Sequence, residues 1–190
     1  MNIVTIFGGP RLQGNTATVL GWVEGALREG GHSVERFDLN DLDIKGCQAC
    51  FTCMESADEP GCVLHDDAEP ILAAMTGADA VVYASPLYMW SVSGQLKSLL
   101  DRTFCLVRDY GGPNHRSFVE GAKTTLLVTC MGPIERNAEW ARDQFVRYAG
   151  YTKYDLIDPW IVPGCSEPGK LGDDVKQKAA ELAAKLVGQS

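Results

Sequence analysis

Residues 3–16 read Ile3-Val4-Thr5-Ile6-Phe7-Gly8-Gly9-Pro10-Arg11-Leu12-Gln13-Gly14-Asn15-Thr16, and this stretch decides the fold of the chain. Its first half is apolar and β-branched, which is typical of a buried strand, and it breaks into a loop of Gly, Pro and Asn. An amphipathic pattern follows at once and predicts a helix. The exposed amides and the positive dipole end of a helix that starts in this way favour an anion. Because Arg11, Asn15 and Thr16 add donors there, the stretch predicts a phosphate site.

The loop departs from the two best-known phosphate-binding patterns. In residues 8–16 no Lys follows a Gly at the spacing of a P-loop, and the dinucleotide pattern G-x-G-x-x-G is missing. The bound phosphate is therefore predicted to belong neither to a P-loop triphosphate nor to a dinucleotide held in the Rossmann manner. Flavin mononucleotide (FMN) is the best remaining candidate.

Strand-like and helical patterns alternate along the whole chain, which is typical of a parallel α/β sheet. The predicted strands are 2–7, 33–38, 79–85, 123–130 and 154–162, and the predicted helices are 16–29, 67–76, 94–105, 136–149 and 173–188. The second strand alternates apolar and charged residues and the fifth contains Pro159, so both are predicted at sheet edges. Two such edges fit a doubly wound sheet of order 2-1-3-4-5, in which a ligand binds beyond the carboxyl ends of the first and third strands. Loops 8–15 and 86–93 would lie there.

Composition limits the class of protein. With 190 residues, the chain is predicted to form a single domain over residues 1–190. A net charge of −8 argues against nucleic acid as a partner, and no apolar run reaches the length of a membrane-spanning helix. Four of the seven cysteines fall within residues 47–62, which is typical of an intracellular metal or redox cluster rather than a secreted disulfide framework. We therefore expect no signal peptide, no membrane partner and a cytoplasmic location.

The loop after the third predicted strand is unusually apolar. Residues 85–94 read Ser85-Pro86-Leu87-Tyr88-Met89-Trp90-Ser91-Val92-Ser93-Gly94. Such side chains can cover a planar heterocycle such as a flavin ring, and the backbone amides of the loop can bond to it. The alternative is that Tyr88, Met89 and Trp90 roof the core or fill a subunit interface. Ser93 is predicted to cap the helix that follows.

In combination, these motifs are similar to those of the flavodoxin-like NAD(P)H-dependent FMN reductases, and most similar to the iron–sulfur flavoprotein branch. The resemblance rests on Gly8–Thr16, Ser85–Tyr88, Gly94–Lys97 and Asp101-Arg102, and it spans residues 1–130. It implies a flavodoxin-like fold, with five parallel strands and helices on both faces of the sheet. The family usually has Ser in the position of Gly9, so this chain lacks one hydroxyl donor to the phosphate.

The resemblance also implies where the cofactor binds. The first loop would hold the FMN phosphate and the second would hold the flavin ring, while a third loop at residues 129–132 would approach the ring from its other side. The FMN-binding residues implied in this way are Gly9, Pro10, Arg11, Gln13, Asn15, Thr16, Pro86, Leu87, Tyr88, Met89, Trp90 and Cys130.

The implied activity is transfer of a hydride from NAD(P)H to FMN, followed by passage of electrons to an acceptor. That acceptor would be a small molecule (a quinone, a free flavin or a metal ion) or a redox protein of the ferredoxin type. The resemblance implies a homodimer or homotetramer, and it assigns no catalytic side chain. Two alternatives are an electron carrier without enzymatic turnover and a thiol-based redox sensor.

Cys47, Cys50, Cys53 and Cys62 form the second notable pattern. The spacing C-x2-C-x2-C brings three thiolates around one small volume, as a [4Fe–4S] cluster requires, with a fourth from farther along the chain. Iron–sulfur flavoproteins carry such a quartet after the second strand, but the eight residues 54–61 between the third and fourth Cys make a longer spacing. The residues alone leave four possibilities: a [4Fe–4S] cluster, a tetrahedral zinc, reversible disulfides, or free thiols.

Two further features lie near these patterns. Asp66 and Asp67 are predicted at the start of a helix, where carboxylates are favourable, and we interpret the neighbouring His65 as structural rather than as a proton donor to the flavin. The segment 107–121 is longer than a simple link between helix and strand. Because long ordered loops are often functional, we expect it to cover the flavin of its own or a neighbouring subunit.

Overall fold

The alternating patterns produce eight strands and five α-helices in the computed structural model, which describes residues 1–55 and 58–189. The strands are β1 (Asn2–Phe7), β2 (Ser33–Asp38), β3 (Ala80–Pro86), β4 (Val107–Arg108), β5 (Arg116–Ser117), β6 (Lys123–Thr129), β7 (Asp155–Leu156) and β8 (Trp160–Val162). The α-helices are α1 (Asn15–Glu29), α2 (Ala68–Thr76), α3 (Gly94–Arg102), α4 (Glu139–Tyr151) and α5 (Asp173–Leu186). Short 3₁₀ turns lie at Leu39–Asp41, Thr52–Met54 and Thr103–Leu106.

Six of these strands form one parallel sheet in the order β2-β1-β3-β6-β7, with β8 also paired to β6. β4 and β5 form a separate antiparallel pair. The prediction of a doubly wound, mostly parallel sheet between helices is confirmed. The predicted five-strand order 2-1-3-4-5 differs in its last member, because the expected strand 154–162 divides into β7 and β8. Pro159 has no N–H to donate to the ladder, and at the break the Thr125 hydroxyl donates to the Asp158 carbonyl (3.2 Å).

Each face of the sheet carries its own core. Successive side chains of a strand point to opposite faces of the sheet. The nearly continuous apolar run of β3 therefore contributes side chains to both cores. Val81 and Tyr83 pack with residues of α2, α3 and α4, whereas Ala80 and Val82 pack with residues of α1 and α5. All four are fully buried. The helices therefore cover both faces and leave the carboxyl ends of the strands as the place where loops converge.

Two helices differ from their predicted limits by three residues at one end, and the other three by one or two residues. α3 ends at Arg102 rather than at residue 105, and the chain continues as a 3₁₀ turn. α4 begins at Glu139 rather than at residue 136, because Arg136 has a φ of 57° and interrupts the helical path. None of the described helices has the length and apolar character needed to span a lipid bilayer.

Candidate active site

A cleft opens at the carboxyl ends of β1, β3 and β6, where three loops meet. One wall is the loop after β1 together with the start of α1, and a second wall is the loop after β3. The third wall is the segment after β6, and the segment after β8 closes one side. This is the end of a doubly wound sheet at which ligands are expected.

The first turn of α1 is open to an anion. Gly14 occupies the N-cap position, and no side chain there accepts a hydrogen bond from the first amides of the helix. Asn15 is buried, and its side-chain oxygen has no hydrogen-bond partner. A buried polar atom without a partner is costly unless a ligand or a water supplies one. The open amides and the unpaired Asn15 carboxamide fit the phosphate and the hydroxyl-bearing chain of FMN.

Two threonine hydroxyls fasten the start of α1 to the sheet. The side-chain oxygens of Thr16 and Thr129 are 2.6 Å apart, and both residues are buried. In such a pair one hydroxyl donates and the other accepts, so the accepting hydroxyl keeps its own hydrogen for a ligand. Thr129 ends β6, and the bond therefore links the first and third walls of the cleft.

Gly9 has no room for a side chain. A Cβ at Gly9 would lie 2.5 Å from Cζ and 2.8 Å from Cε2 of the Phe7 ring. Phe7 is buried, and the Arg36 guanidinium lies over its ring at 4.9 Å from the ring centroid. The ring thus occupies the space that a serine side chain would need, which is a physical reason for glycine at this position.

Replacing Gly9 with serine is expected to weaken FMN binding about tenfold even though it adds a hydroxyl, because overpacking costs about 1–3 kcal/mol. In a Phe7→Leu background the same substitution is expected to weaken binding much less. Quenching of FMN fluorescence, measured for the wild type, both single variants and the double variant, gives the coupling between the two positions. An equal effect of Gly9→Ser in both backgrounds would contradict the steric explanation.

The loop after β3 makes a tight turn with two left-handed residues. Tyr88 and Ser91 exchange both backbone hydrogen bonds (2.9 and 3.0 Å), which leaves Met89 and Trp90 at the central positions with φ of 47° and 62°. Such a turn normally carries Gly or Asn, and bulky residues held in it are typical of functional sites. Met89 is 81% exposed and Trp90 is 53% exposed. The turn therefore holds these two side chains at the rim of the cleft.

Two thiols border the cleft without being reactive nucleophiles. Burial raises the pKa of Cys130, and burial together with the neighbouring Cys130 raises the pKa of Cys165. The Cys130 thiol donates to the Gly132 carbonyl and the Cys165 thiol donates to the Val162 carbonyl, each at 3.3 Å. Because the thiolate is the reactive form, both thiols are uncharged and unreactive at pH 7, and they only border the cleft.

The cleft contains most, but not all, of the predicted FMN-binding residues. Those that line it are Gly9, Pro10, Arg11, Asn15, Thr16, Pro86, Leu87, Tyr88 and Cys130. Gln13, Met89 and Trp90 lie outside the lining. Thr129 and Met131, which belong to the predicted third loop, also line the cleft. Residues that line it and were not predicted to bind FMN are Phe7, Gly14, Cys165, Ser166 and Pro168. The last three follow β8, and the position of ligands beyond the carboxyl ends of parallel strands could have indicated them.

The four predicted ligand cysteines, Cys47, Cys50, Cys53 and Cys62, line one small cavity that shares no lining residue with the cleft. The structure describes all seven cysteines, and none forms a disulfide. Within residues 1–55 and 58–189, no three His, Cys, Asp or Glu side chains are arranged to hold one metal ion. A tetrahedral zinc would need the four sulfurs to converge on one point. A [4Fe–4S] cluster has a different demand, because each of its four thiolates binds a separate iron of the cube.

The thiols around this cavity differ in acidity. Hydrogen bonds from Thr52 lower the pKa of Cys50, which favours the thiolate there. Burial, and then the neighbouring Cys62, raise the pKa of Cys53. Burial raises the pKa of Cys105, which lines the same cavity, to about 12. Cys105 therefore stays protonated at pH 7.

A buried arginine at the end of α3 fastens the cysteine loop, residues 42–66, to the core. Arg102 donates to the Asp66 carboxylate (2.6 Å) and to the carbonyls of Lys45 (2.9 Å) and Leu64 (3.0 Å). It thus holds both ends of the segment that contains the cysteine quartet. Neither side chain of the Arg102–Asp66 pair is more than 3% exposed.

The segment 107–121 lies against the cysteine loop. Its β4–β5 hairpin includes Arg108, whose guanidinium donates to the Glu59 carbonyl inside that loop. The ring of Tyr110 packs on Phe104, with centroids 5.5 Å apart. All of the segment is described, and none of it lines the cleft. The expectation that it covers the flavin of its own subunit is therefore wrong, and cover of a neighbouring subunit stays a prediction.

The charged residues before α2 act structurally. His65 is exposed and lies 3.3 Å from the Glu69 carboxylate, away from the cleft. An Asp66 oxygen accepts from the first amide of α2 (3.1 Å), as predicted for a carboxylate at a helix start. Asp67 occupies the N-cap position, but its carboxylate accepts from the Asp43 amide (2.7 Å) and not from the helix. Asp66, the predicted cap, thus bonds to the helix from the position before the N-cap, and Asp67 does not act as the predicted carboxylate of the first turn.

The fold is flavodoxin-like, and the cleft lies at the end of the sheet where proteins of this architecture bind their ligands. A family model described as NADPH-dependent FMN reductase matches residues 1–159, and the chain belongs to that family. It is therefore an NAD(P)H-dependent FMN oxidoreductase with FMN and NAD(P)H as cofactors.

Curated relatives carry the name iron–sulfur flavoprotein. One from Archaeoglobus fulgidus is 30% identical over 192 residues, which cover 98% of this chain and 79% of that protein. Another from Methanocaldococcus jannaschii is 37% identical over 103 residues, which cover 54% of this chain and 52% of that protein.

Solved structures agree with the fold. An FMN-dependent NADH-azoreductase from Bacillus anthracis, in complex with FMN, superimposes with a TM-score of 0.74 at 13% identity and covers 99% of this chain and 100% of that chain. An NAD(P)H:quinone oxidoreductase from Methanothermobacter marburgensis superimposes with a TM-score of 0.65 at 19% identity, over 97% of this chain and 93% of that chain. At these identities the likeness concerns the fold alone.

Proposed function

We propose that this protein oxidises NAD(P)H at FMN held in the cleft and passes the electrons to an acceptor. The acceptor is a small molecule such as a quinone, a free flavin or a metal ion, or a redox protein of the ferredoxin type. One observation carries the proposal: the buried, unpaired Asn15 carboxamide lies at the uncapped start of α1. Both features are costly without a ligand and favourable with an anion that bears hydroxyl groups. When FMN is bound, it supplies the hydride-accepting chemistry.

The proposed phosphate site combines the first amides of α1 with Arg11, Asn15 and Thr16. Asn15 and Thr16 are held by burial, whereas Arg11 is exposed and is free to pair with the phosphate as a charged donor. Gly9 and Pro10 border this end through their backbone, and Gln13 is proposed as an outer contact. The chain's own contribution is to bind and orient the phosphate and thereby to place the ring over the second loop.

The proposed ring site lies between the second and third loops. Pro86, Leu87 and Tyr88 border it on one side and Cys130 borders it on the other. Met89 and Trp90, held at the rim by the left-handed turn, are proposed to cover the ring from its edge. The exposed Tyr88 and Met131 side chains leave the cleft open to solvent, so a nicotinamide ring can stack on the flavin without a nucleotide-binding fold of its own.

We further propose that Cys47, Cys50, Cys53 and Cys62 hold a [4Fe–4S] cluster. Two observations support it: the four cysteines line one cavity, and the curated relatives are named iron–sulfur flavoproteins. When bound, such a cluster supplies one-electron transfer, which suits a one-electron acceptor.

We also propose a homodimer or homotetramer in the cytoplasm, built from a single domain over residues 1–190. Large apolar side chains that stay exposed mark association surfaces, and Met89, Trp90, Met131 and Trp140 are all more than half exposed. Unpaired cysteines fit a reducing compartment.

Anaerobic absorption spectroscopy tests the flavin part of the proposal. We expect the FMN band of the loaded protein to bleach on addition of NADPH or NADH, and turnover to continue when a quinone is added. Asn15→Leu is expected to weaken FMN binding about tenfold, because it removes the buried carboxamide. Asn40→Leu changes an exposed asparagine and is the control. If dithionite bleaches the FMN band but neither NADPH nor NADH does, the protein is an electron carrier. If the protein does not bind FMN, the proposal is overturned.

Analysis of iron and acid-labile sulfide tests the cluster part. We expect both in equal amounts in anaerobically purified or reconstituted protein. The double variant Cys47→Ser, Cys50→Ser is expected to lose them and to keep its FMN. Cys165→Ser is the control, since it changes a thiol outside the quartet and is expected to retain iron. Retention of iron by the double variant would contradict the assignment of these ligands.

A further inference from the structure

Two buried arginines beside the cysteine quartet each have an unused donor. Arg102 and Arg108 are 1% and 5% exposed, and the Nε–H of each is buried without a hydrogen-bond partner. In the described part of the chain such orphaned side-chain atoms are few. Arg102 lines the cavity of the quartet, and Arg108 donates to the backbone carbonyl of Cys105, which lines the same cavity. A buried donor without a partner calls for an explanation, such as a group that binds there.

Arg102 lies at the wall of the quartet's cavity. It is one of the residues that line this cavity together with the cysteines. Its terminal nitrogens are already used, because they donate to Asp66 and to two backbone carbonyls. The Nε–H is therefore what Arg102 presents to a group held by the sulfurs.

Arg108 carries a buried charge that no carboxylate in the described part of the chain neutralises through an ion pair. Its guanidinium donates to the carbonyls of Cys105, Val107 and Glu59 and lies 4.8 Å from the centroid of the Phe118 ring. Cys105, whose carbonyl accepts from Arg108, lines the cavity of the quartet. A buried cation without a counter-ion costs several kcal/mol, so this arrangement favours an anionic group at the quartet.

We propose that Arg102 and Arg108 are positioning residues that balance the negative charge of the cluster held by the quartet and raise its reduction potential. The inference rests on the [4Fe–4S] cluster of the proposed function. Reduction adds one electron from a donor to the cluster and breaks no bond, so it makes the site more negative by one charge. Fixed positive charges and N–H donors near the sulfurs stabilise the more negative form. Arg108, which has no counter-ion of its own, has the larger effect.

A redox titration with dithionite and mediators, followed by absorbance and electron paramagnetic resonance, tests the proposal. At a fixed potential, Arg108→Gln is expected to lower the ratio of reduced to oxidised cluster about tenfold, which is about 59 mV for a one-electron couple. Arg108→Lys keeps the charge and loses the Nε–H, so it is expected to lower the ratio by a smaller factor. Arg142→Gln removes an exposed charge on α4 and is expected to change nothing.

Arg102 needs a paired substitution, because Arg102→Gln alone leaves Asp66 buried and unpaired. The double variant Arg102→Gln, Asp66→Asn removes both charges together and tests the Nε–H, and it is expected to lower the ratio less than Arg108→Gln does. If Arg108→Gln does not fold, Arg108→Lys and this double variant provide the test.

Iron content, measured first, distinguishes the two ways in which the inference can fail. If all variants hold iron and their potentials equal that of the wild type, the inference is overturned and the proposed function stands. If the wild-type chain holds no iron after reconstitution, the cluster and this inference fall together, while bleaching of FMN by NAD(P)H is unaffected.

Discussion

Replacing Gly8 with alanine is expected to raise the FMN dissociation constant about a hundredfold and to lower the free energy of unfolding by about 1–3 kcal/mol. A Cβ at Gly8 would lie 2.7 Å from both the Leu96 Cβ and the Ser93 Oγ, and neither atom is the free end of a flexible side chain. The Ser93 hydroxyl is fixed as the cap of α3, where it accepts from the Leu96 amide (3.2 Å). The loop after β1, which contains Gly8, must therefore move away from α3. That movement pulls on the Gly8 amide, which donates to the Ala84 carbonyl (2.8 Å) at the base of the cleft.

Gly21 provides the matched control for this substitution. It lies within α1, and an added Cβ there meets nothing within 4 Å. Gly21→Ala is expected to leave FMN binding unchanged and to stabilise the protein by up to about 1 kcal/mol, since alanine is the better helix former. Fluorescence quenching of FMN and unfolding by urea, applied to both variants, separate the two effects. Wild-type affinity in Gly8→Ala would show that the close approach to α3 does not shape the phosphate site.

Replacing Asp66 with alanine is expected to lower the free energy of unfolding by about 3–5 kcal/mol, because it leaves the buried Arg102 charge unpaired. Asp66 also accepts from the Lys45 amide (3.0 Å), so the cysteine loop loses its main attachment to the core. The comparable variant Asp101→Ala breaks an exposed pair with Lys97 on α3 and is expected to cost less than about 1 kcal/mol. Urea unfolding of both variants checks the difference. Similar small losses would contradict the anchoring role of the buried pair.

The same pair makes stability depend on pH. Burial acts to raise the pKa of Asp66, but hydrogen bonds from Arg102, Lys45 and Ala68 outweigh it and lower the pKa. Because the pKa is lower in the folded chain than in the unfolded one, the stabilisation is complete above about pH 4 and is lost as the pH falls further. We expect the wild type to lose more stability than Asp66→Asn over that acid range.

Local features of this protein could be predicted well from sequence. β1 and β2 lie at their predicted limits, and Ser93 caps α3 as expected. The start of α1 also lies where residues 8–16 indicated an anion site. Each of these depends on neighbours within a few residues, because strand alternation, helix caps and the helix dipole are local effects. The division of the strand at Pro159 was missed, although its cause is also local.

The sequence by itself determined the parallel sheet and the loop and helix start that follow β1, because both follow from short-range patterns. Only the tertiary structure decided that the segment after β8 closes the cleft and that the segment 107–121 packs on the cysteine loop. It also decided that Arg102 meets Asp66, which lies 36 residues away in the chain. Such pairs form only when the core brings distant segments together, and no local pattern marks an arginine for burial. The difference is one of range along the chain: caps and alternation act over a few residues, whereas burial and ion pairing depend on the whole fold.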